Sequence, residues 1–261
     1  MSHLDSIQRG AQEQFDRQSE QYGRGHILAD TADVAAALAH VPLGDGRRAL
    51  DVATGAGHTG LFLAARGWQV ILADISPGML RQAEKLARER GLNVTLCQQT
   101  AERFGQADRS FDLVSCRVAA HHFSDPAAFL SETARVLAPA GALLLIDGSV
   151  PDNEPEAEAW IHQVEKLRDP SHNRFLAPKA WTALCEAAGL RVVWQELNPL
   201  KQPDLNWYFE TAATPPENRA AVLALIRTAL PRVREVFRLG EEDGLIVWWW
   251  PRLSLVAVRE S

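Results

Sequence analysis

Arg48-Ala49-Leu50-Asp51-Val52-Ala53-Thr54-Gly55-Ala56-Gly57-His58-Thr59-Gly60 decides how the rest of the chain is read. It is an apolar strand running into three closely spaced glycines, and the next apolar run, Val70-Ile71-Leu72-Ala73-Asp74, closes on an acid. Glycines let a backbone turn tightly and lie close to a ligand. An acid at the tip of the second strand is placed to accept hydrogen bonds from the two hydroxyls of a ribose. Strand, glycine turn, helix, strand and acid together point to a nucleoside-containing cofactor.

Outward from this unit, helices and strands alternate. The first strand spans 48–53, with a helix running to Arg66 and stopped by Gly67, a usual helix-ending residue. The second strand spans 68–74, and Ser76-Pro77 then supplies an N-cap and a proline at the first helical position of a helix that ends near Arg90. Strands are expected at 93–97, 111–116 and 142–147, with a helix opened by Asp125-Pro126 between the last two. Such alternation implies right-handed crossovers and a parallel sheet covered on both faces. The rhythm breaks after Asp147. A polar, helix-prone insertion covers 151–175, a helix runs from Lys179 to Ala188, and a strand covers 191–197. A second helical insertion spans 201–240, and the chain closes with β structure at 245–250 and 253–258. Ahead of the first strand lie helical stretches at 5–22 and 31–40.

The 261 residues suit one elaborated domain, 1–261. With 27 basic and 33 acidic side chains the net charge is −6, which gives no basic face for a nucleic-acid backbone. Cys97, Cys116 and Cys185 sit in apolar stretches without a Cys-x-x-Cys pair and read as core thiols in a reducing compartment. No apolar run resembles a secretion signal or is long enough to cross a bilayer, so a cytoplasmic protein without integral membrane association is expected. The sequence is compatible with a homodimer.

Gly55, Gly57 and Gly60 satisfy G-x-G-x-x-G, which serves nicotinamide enzymes as well as enzymes that use S-adenosylmethionine (SAM). Asp51 favours the second. A strand buried on both faces is normally apolar there, and an acid is useful where the ligand carries an ammonium group. No separate substrate domain follows, either. With these residues in hand, the chain resembles the class I SAM-dependent methyltransferases, in the branch similar to the ubiquinone/menaquinone-biosynthesis C-methyltransferases. Leu50–Gly57, Asp74–Leu80, Ser110–Val114, Cys116–Phe123 and Val164–His172 carry the resemblance, which runs from about Phe15 to the last strand.

The resemblance implies an α/β, Rossmann-like fold. Its mostly parallel seven-stranded sheet has the order 3-2-1-4-5-7-6, the last strand antiparallel, with helices on both faces. Residues 1–40 would form an N-terminal helical lid, and 151–175 and 201–240 substrate-side insertions. It implies SAM as cofactor and S-adenosylhomocysteine (SAH) as product. Thr54, Gly55, Ala56 and Gly57 would approach the methionine part, with Asp51 near its ammonium through water. Asp74 would hold the ribose, Ile75 and Met79 would pack on the adenine, and Arg117 would lend a backbone carbonyl. Thr100 stands where the family usually has an adenine-contacting acid; its hydroxyl accepts a hydrogen bond more weakly than a carboxylate, so Thr100, the Ala101 backbone amide and Glu102 are all cofactor candidates.

His121 and His122 follow the fourth strand, beside the crevice of an open α/β sheet, and are candidates for a general base or substrate contact. Local capping and packing is the competing reading. Tyr22, His26, His172 and Arg174 are further substrate candidates, weighed against a pinned surface helix for the first two and, for the others, a solvated loop with Glu165 and Arg168 pairing at i, i+3. Trp248 and Trp250 alternate onto one face and Trp249 onto the other, for packing or for a stacking platform. No metal-ligand spacing is present. Arg117-Val118-Ala119-Ala120 replaces the Asn/Asp-Pro-Pro-aromatic loop of enzymes that methylate DNA amino groups, so a small metabolite is the expected acceptor. A nicotinamide-dependent oxidoreductase and a non-catalytic SAM-binding sensor or adaptor remain open at this level.

Overall fold

The computed structural model describes residues 4–23, 26–42 and 44–260. Its main sheet is built from β1 (Arg48–Val52), β2 (Gln69–Asp74), β3 (Thr95–Gln98), β4 (Phe111–Arg117), β5 (Leu137–Gly148) and β6 (Leu190–Lys201), completed by the final strand. Two short strands, β7 (Gly240–Glu242) and β8 (Leu245–Val247), pair as a separate hairpin before that final strand, β9 (Trp249–Arg259). The order across the main sheet is β3-β2-β1-β4-β5-β9-β6, and β9 runs antiparallel to both of its neighbours. This is the expected order, with β9 as the seventh strand.

Alternation along the strands sorts side chains to two faces. Leu143, Leu145, Leu255 and Ala257 face one layer, where Phe129 and Trp181 cover them. Leu144, Ile146, Val256 and Val258 face the other, under Leu61, Leu63 and Leu86. The first layer comprises α5 (Pro126–Val136) and α7 (Pro178–Ala187). The second comprises α2 (Ala32–Leu38), α3 (His58–Ala64) and α4 (Pro77–Glu89). Pro77 and Pro126 occupy first-turn positions behind caps in which Ser76 accepts from the Met79 amide and Asp125 from the Ala128 amide. A third apolar cluster joins α6 (Pro155–Arg168), α8 (Leu205–Glu210), α9 (Pro216–Arg227) and α10 (Pro231–Val236) around Trp160, Tyr208, Phe237 and Trp248. It is built mainly from the two insertions, with Val150 and Trp248 joining from outside them.

The glycine turn shows why its residues are small. Gly55 and Gly57 have φ of +55° and +86°, a region that side chains disfavour. A β-carbon on Gly60 would lie 2.1 Å from Cδ2 of the fully buried Leu72, so Gly60 is what lets α3 lie on β2. Gly60→Ala is therefore expected to cost about 1–3 kcal/mol or more by overpacking. Thermal unfolding with an unchanged midpoint would contradict this account.

Four expectations are corrected. α5 ends at Val136 and the chain enters β5 directly, five residues before the expected strand, because Leu137 pairs with Phe111 ahead of a register shift. β6 extends to Lys201, since β9 continues the ladder as far as Trp249. Cys97 is only half-buried and donates to Gln99 Oε1 at 3.4 Å, whereas Cys116 and Cys185 are core thiols. The expected strand over 245–250 is broken at Trp248, which sits between β8 and β9; the alternation itself is as expected, since Trp248 and Trp250 meet Tyr208 at ring distances of 4.5 and 5.8 Å while Trp249 lies under Lys201 Nζ. No helix among the described residues is long and apolar enough to cross a membrane.

Candidate active site

The carboxyl ends of β1, β2 and β4 open into a cavity of about 290 Å³, closed above by α1 (Ser6–Gln18), the turns after it, and the insertions. Asp74 reaches its wall from the tip of β2. One carboxylate oxygen accepts from the Gly55 amide and the other from the Ser76 amide, each at 2.8 Å. Each oxygen keeps a lone pair for a further donor. Burial pushes the Asp74 pKa up to about 6, since the charged form loses water that two amides only partly replace.

Thr54, Gly55, Ala56, Ile75, Met79 and Ala101 line the same end, as their positions in the sequence suggest. Glu102 also lines it, but its carboxylate is engaged by Ser124 and by Gln8 of α1. Asp51, Gly57 and Thr100 lie outside the lining. Asp51 is buried behind the turn, where it accepts from Thr54 Oγ1, from Ser115 Oγ at 2.6 Å and from the Gly60 amide at 3.0 Å. Its carboxylate fixes the turn and does not face the cavity. Gly57 packs against Ala83 and Leu72. The Gln99 amide extends the ladder to Asp74 O, so Gln99 faces the cavity while Thr100 bridges to Arg103. Gln99 Oε1 accepts from the Gly105 amide, leaving Nε2 buried without a partner. The period-two rule of strands, applied one residue further, points to Gln99.

Arg117 lies at the tip of β4 with its guanidinium buried. It donates to Asp33 Oδ2 at 2.9 Å, Leu28 O at 2.8 Å and Asp30 O at 2.6 Å, and Arg252 of β9 reaches the same Asp33 oxygen at 3.1 Å. Its side chain thus ties residues 28–33 to the sheet, a role separate from the backbone contact expected of it. Asp33→Ala would leave two guanidinium groups without their carboxylate. Removing one partner of a buried pair costs about 3–5 kcal/mol, so hydrogen exchange over residues 27–38 should quicken markedly. Unchanged exchange there would refute the latch.

The far end of the cavity holds three of the imidazoles. His121 Nδ1 lies 2.6 Å from Asp147 Oδ1, so Nδ1 carries a hydrogen and Nε2 is the free edge. Burial works against a charged His121, but the charge and hydrogen bond of Asp147 outweigh it and the pKa is raised. His122 Nδ1 faces the Ser171 carbonyl at 3.1 Å, which likewise leaves Nε2 free. Burial and the neighbouring His121 push its pKa down to about 4. The adjacent rings, 4.1 Å apart, are thus tuned in opposite directions. His172 has both ring nitrogens buried and unpartnered, and burial drives its pKa far down. Tyr22 and His26 stack at 4.4 Å in the cavity wall, and burial brings His26 down to about 4. Arg174 is absent from the lining: it is exposed and pairs with Glu158 at 2.5 Å. Glu165 and Arg168 form the i, i+3 ion pair that the sequence offers, at 3.1 Å, but in the cavity wall and not in a solvated loop, with Tyr208 donating to Glu165. The pair is local; what the sequence does not reveal is its burial, because Tyr208 and Thr211, which cover it, come from the second insertion.

Residues 49–141 match the methyltransferase domain family. The uncharacterised methyltransferase YcgJ of Bacillus subtilis is 31% identical over 225 residues, covering 85% of this chain and 88% of that protein. The chain belongs to the methyltransferase family. The crystal structure of YcgJ superimposes on this methyltransferase with a TM-score of 0.80 at 26% identity, covering 89% of this chain and all of that one. The ubiquinone/menaquinone biosynthesis C-methyltransferase UbiE of Serratia proteamaculans is 32% identical over 146 residues, 51% of this chain and 58% of UbiE. Among the described residues no group of three or more His, Cys, Asp or Glu side chains is arranged to hold a metal ion.

Proposed function

We propose that this methyltransferase binds SAM at the Asp74 end of the cavity and transfers its methyl group to a small-molecule acceptor held at the His121 end. One observation carries the reading: the Asp74 carboxyl beside the glycine turn and the His121–Asp147 pair open into the same cavity. The residues fit the cofactor. Asp74 has lone pairs for two ribose hydroxyls, the unpartnered Gln99 Nε2 offers a donor near the base, and Ile75 and Met79 give apolar walls.

When bound, SAM supplies an electrophilic methyl group on a positive sulfur. The protein's part is to hold the acceptor in line with that sulfur and to keep water out, and such positioning supplies on the order of 7–11 kcal/mol. His121 Nε2 takes the acceptor's proton, and Asp147 stabilises the imidazolium through Nδ1–H. His122, kept neutral by its depressed pKa, orients the acceptor through its free Nε2. Of the segment 1–40, the described residues 4–23 and 26–40 act as a lid, with Tyr22 and His26 in the cavity wall, and 151–175 and 201–240 shape the acceptor end through His172 and the Glu165–Arg168 pair.

Calorimetric titration with SAM, SAH and NAD(H) tests the cofactor. Binding of NAD(H) alone would overturn the proposal. Labelled SAM incubated with a metabolite extract tests transfer, and tight SAM binding with no label in any fraction would favour a sensor over an enzyme.

A further inference from the structure

His58 opens α3 directly behind the glycine turn, is 4% exposed and lines the cavity. Its Nε2 lies 3.0 Å from the Tyr22 carbonyl oxygen. A carbonyl can only accept, so Nε2 carries the hydrogen and Nδ1 is left with a lone pair. That Nδ1 is buried and has no hydrogen-bond partner in the protein. A buried acceptor left unpaired is costly, and each such group calls for an explanation. Burial also pushes the His58 pKa down, which keeps the ring neutral and the lone pair available near neutral pH.

The amino-acid tail of SAM brings an ammonium, a strong donor, to the glycine turn. Asp51, the acid nearest that turn in sequence, is engaged by Thr54, Ser115 and Gly60 and stands outside the lining. A neutral acceptor also suits the place electrostatically. Asp51 and Asp16 already raise the cost of ionising Asp74, and a further anion would add to it. We propose that His58 Nδ1 accepts a hydrogen bond from the ammonium of the methionine part of SAM, while the opposite edge of the same ring holds the lid through Tyr22. This rests on the assignment of SAM to the cavity. One imidazole then reads cofactor occupancy on one side and seats the lid on the other, so the two events favour each other.

Two substitutions separate the two edges. His58→Gln places an amide near the Nε2 position, where it can still donate to Tyr22, and removes the acceptor at Nδ1. His58→Asn places a carbonyl near Nδ1 and cannot reach Tyr22. The probes are SAH and 5′-methylthioadenosine, which keeps the adenosine and sulfur but lacks the amino-acid tail. In calorimetry His58→Gln should weaken SAH by about 10-fold or more and leave methylthioadenosine within about twofold. His58→Asn should keep the preference for SAH but lose the slowing of amide hydrogen exchange that SAH imposes on residues 19–22. SAH bound as tightly by His58→Gln as by the wild type, or both probes weakened by the same factor, would overturn the proposal. So would a histidine Nδ1 resonance of His58 in the wild type that SAH does not move, a reading that needs no variant to fold. Failure of the wild type to bind SAH at all would instead overturn the cofactor assignment.

Discussion

Replacing His121 with asparagine should slow methyl transfer by about 10²–10⁴-fold and leave SAH affinity within about twofold. The expectation follows from the proposed placing of the acceptor at His121, whose partner Asp147 lies at the end of β5, three strands away from Asp74 at the tip of β2. The sign of the pH dependence follows from Asp147. A base must be unprotonated to work, and the neighbouring carboxylate raises the His121 pKa above its ordinary value. Transfer should therefore rise as pH climbs through that raised pKa. Asp147→Asn should move the midpoint down and slow transfer, because the ring loses the partner that fixes its tautomer and stabilises its charge. Single-turnover transfer from labelled SAM, followed across pH, measures both. Transfer by His121→Asn at the wild-type rate would remove the base from the mechanism, as would a pH profile unaltered by Asp147→Asn.

Asp74→Ala should weaken SAM and SAH by about 1.5–3 kcal/mol, roughly 10- to 150-fold. Two contributions act together. The ribose loses a charged acceptor, and the Gly55 and Ser76 amides lose the carboxylate that aligns the two turns. The wild type should show the same dependence through its titration. With the ligand-free pKa pushed up to about 6, the ionised form that accepts two hydroxyls is depleted as pH falls through 6, and affinity should fall with it. The Asp74→Ala protein should lack this pH dependence. An unchanged dissociation constant in the variant, or an affinity flat between pH 5 and 7 in the wild type, would count against the ribose assignment (the window spans about one unit either side of the buried acid's pKa).

Local chemistry made much of the framework readable in advance. Ser76-Pro77 and Asp125-Pro126 announce helix starts through contacts three residues long. The glycine turn announces itself through the backbone angles that it needs. What escaped the sequence depends on partners far along the chain or on a one-residue choice of face. The Arg117 guanidinium meets residues 84 to 89 positions away, so nothing beside it reveals the latch. Asp51 looked like a ligand contact because an acid in a buried strand is anomalous; the anomaly is resolved by Thr54, Ser115 and Gly60 instead. Thr100 and Gln99 exchange places because the ladder with Asp74 runs one residue past β3. Ala53 and Val118, at the ends of β1 and β4, have φ of +51° and +53°. Such angles are costly for a β-branched residue and collect at functional sites, yet neither side chain signals them.

The attachments of α1 carry a consequence for turnover. Gln12 donates to Ile75 O, Asp16 accepts from Ser76 Oγ and the Gly78 amide, and Gln14 donates to Ala212 O in the second insertion. A single rod thus ties the tip of β2 to the second insertion, and on the proposed function it spans the donor and acceptor ends, so release of either product is expected to disturb it. Escape of the spent nucleoside and of the methylated molecule should share one slow opening, so steady-state velocity should drop as solvent viscosity rises while a single enzyme-bound turnover keeps its pace.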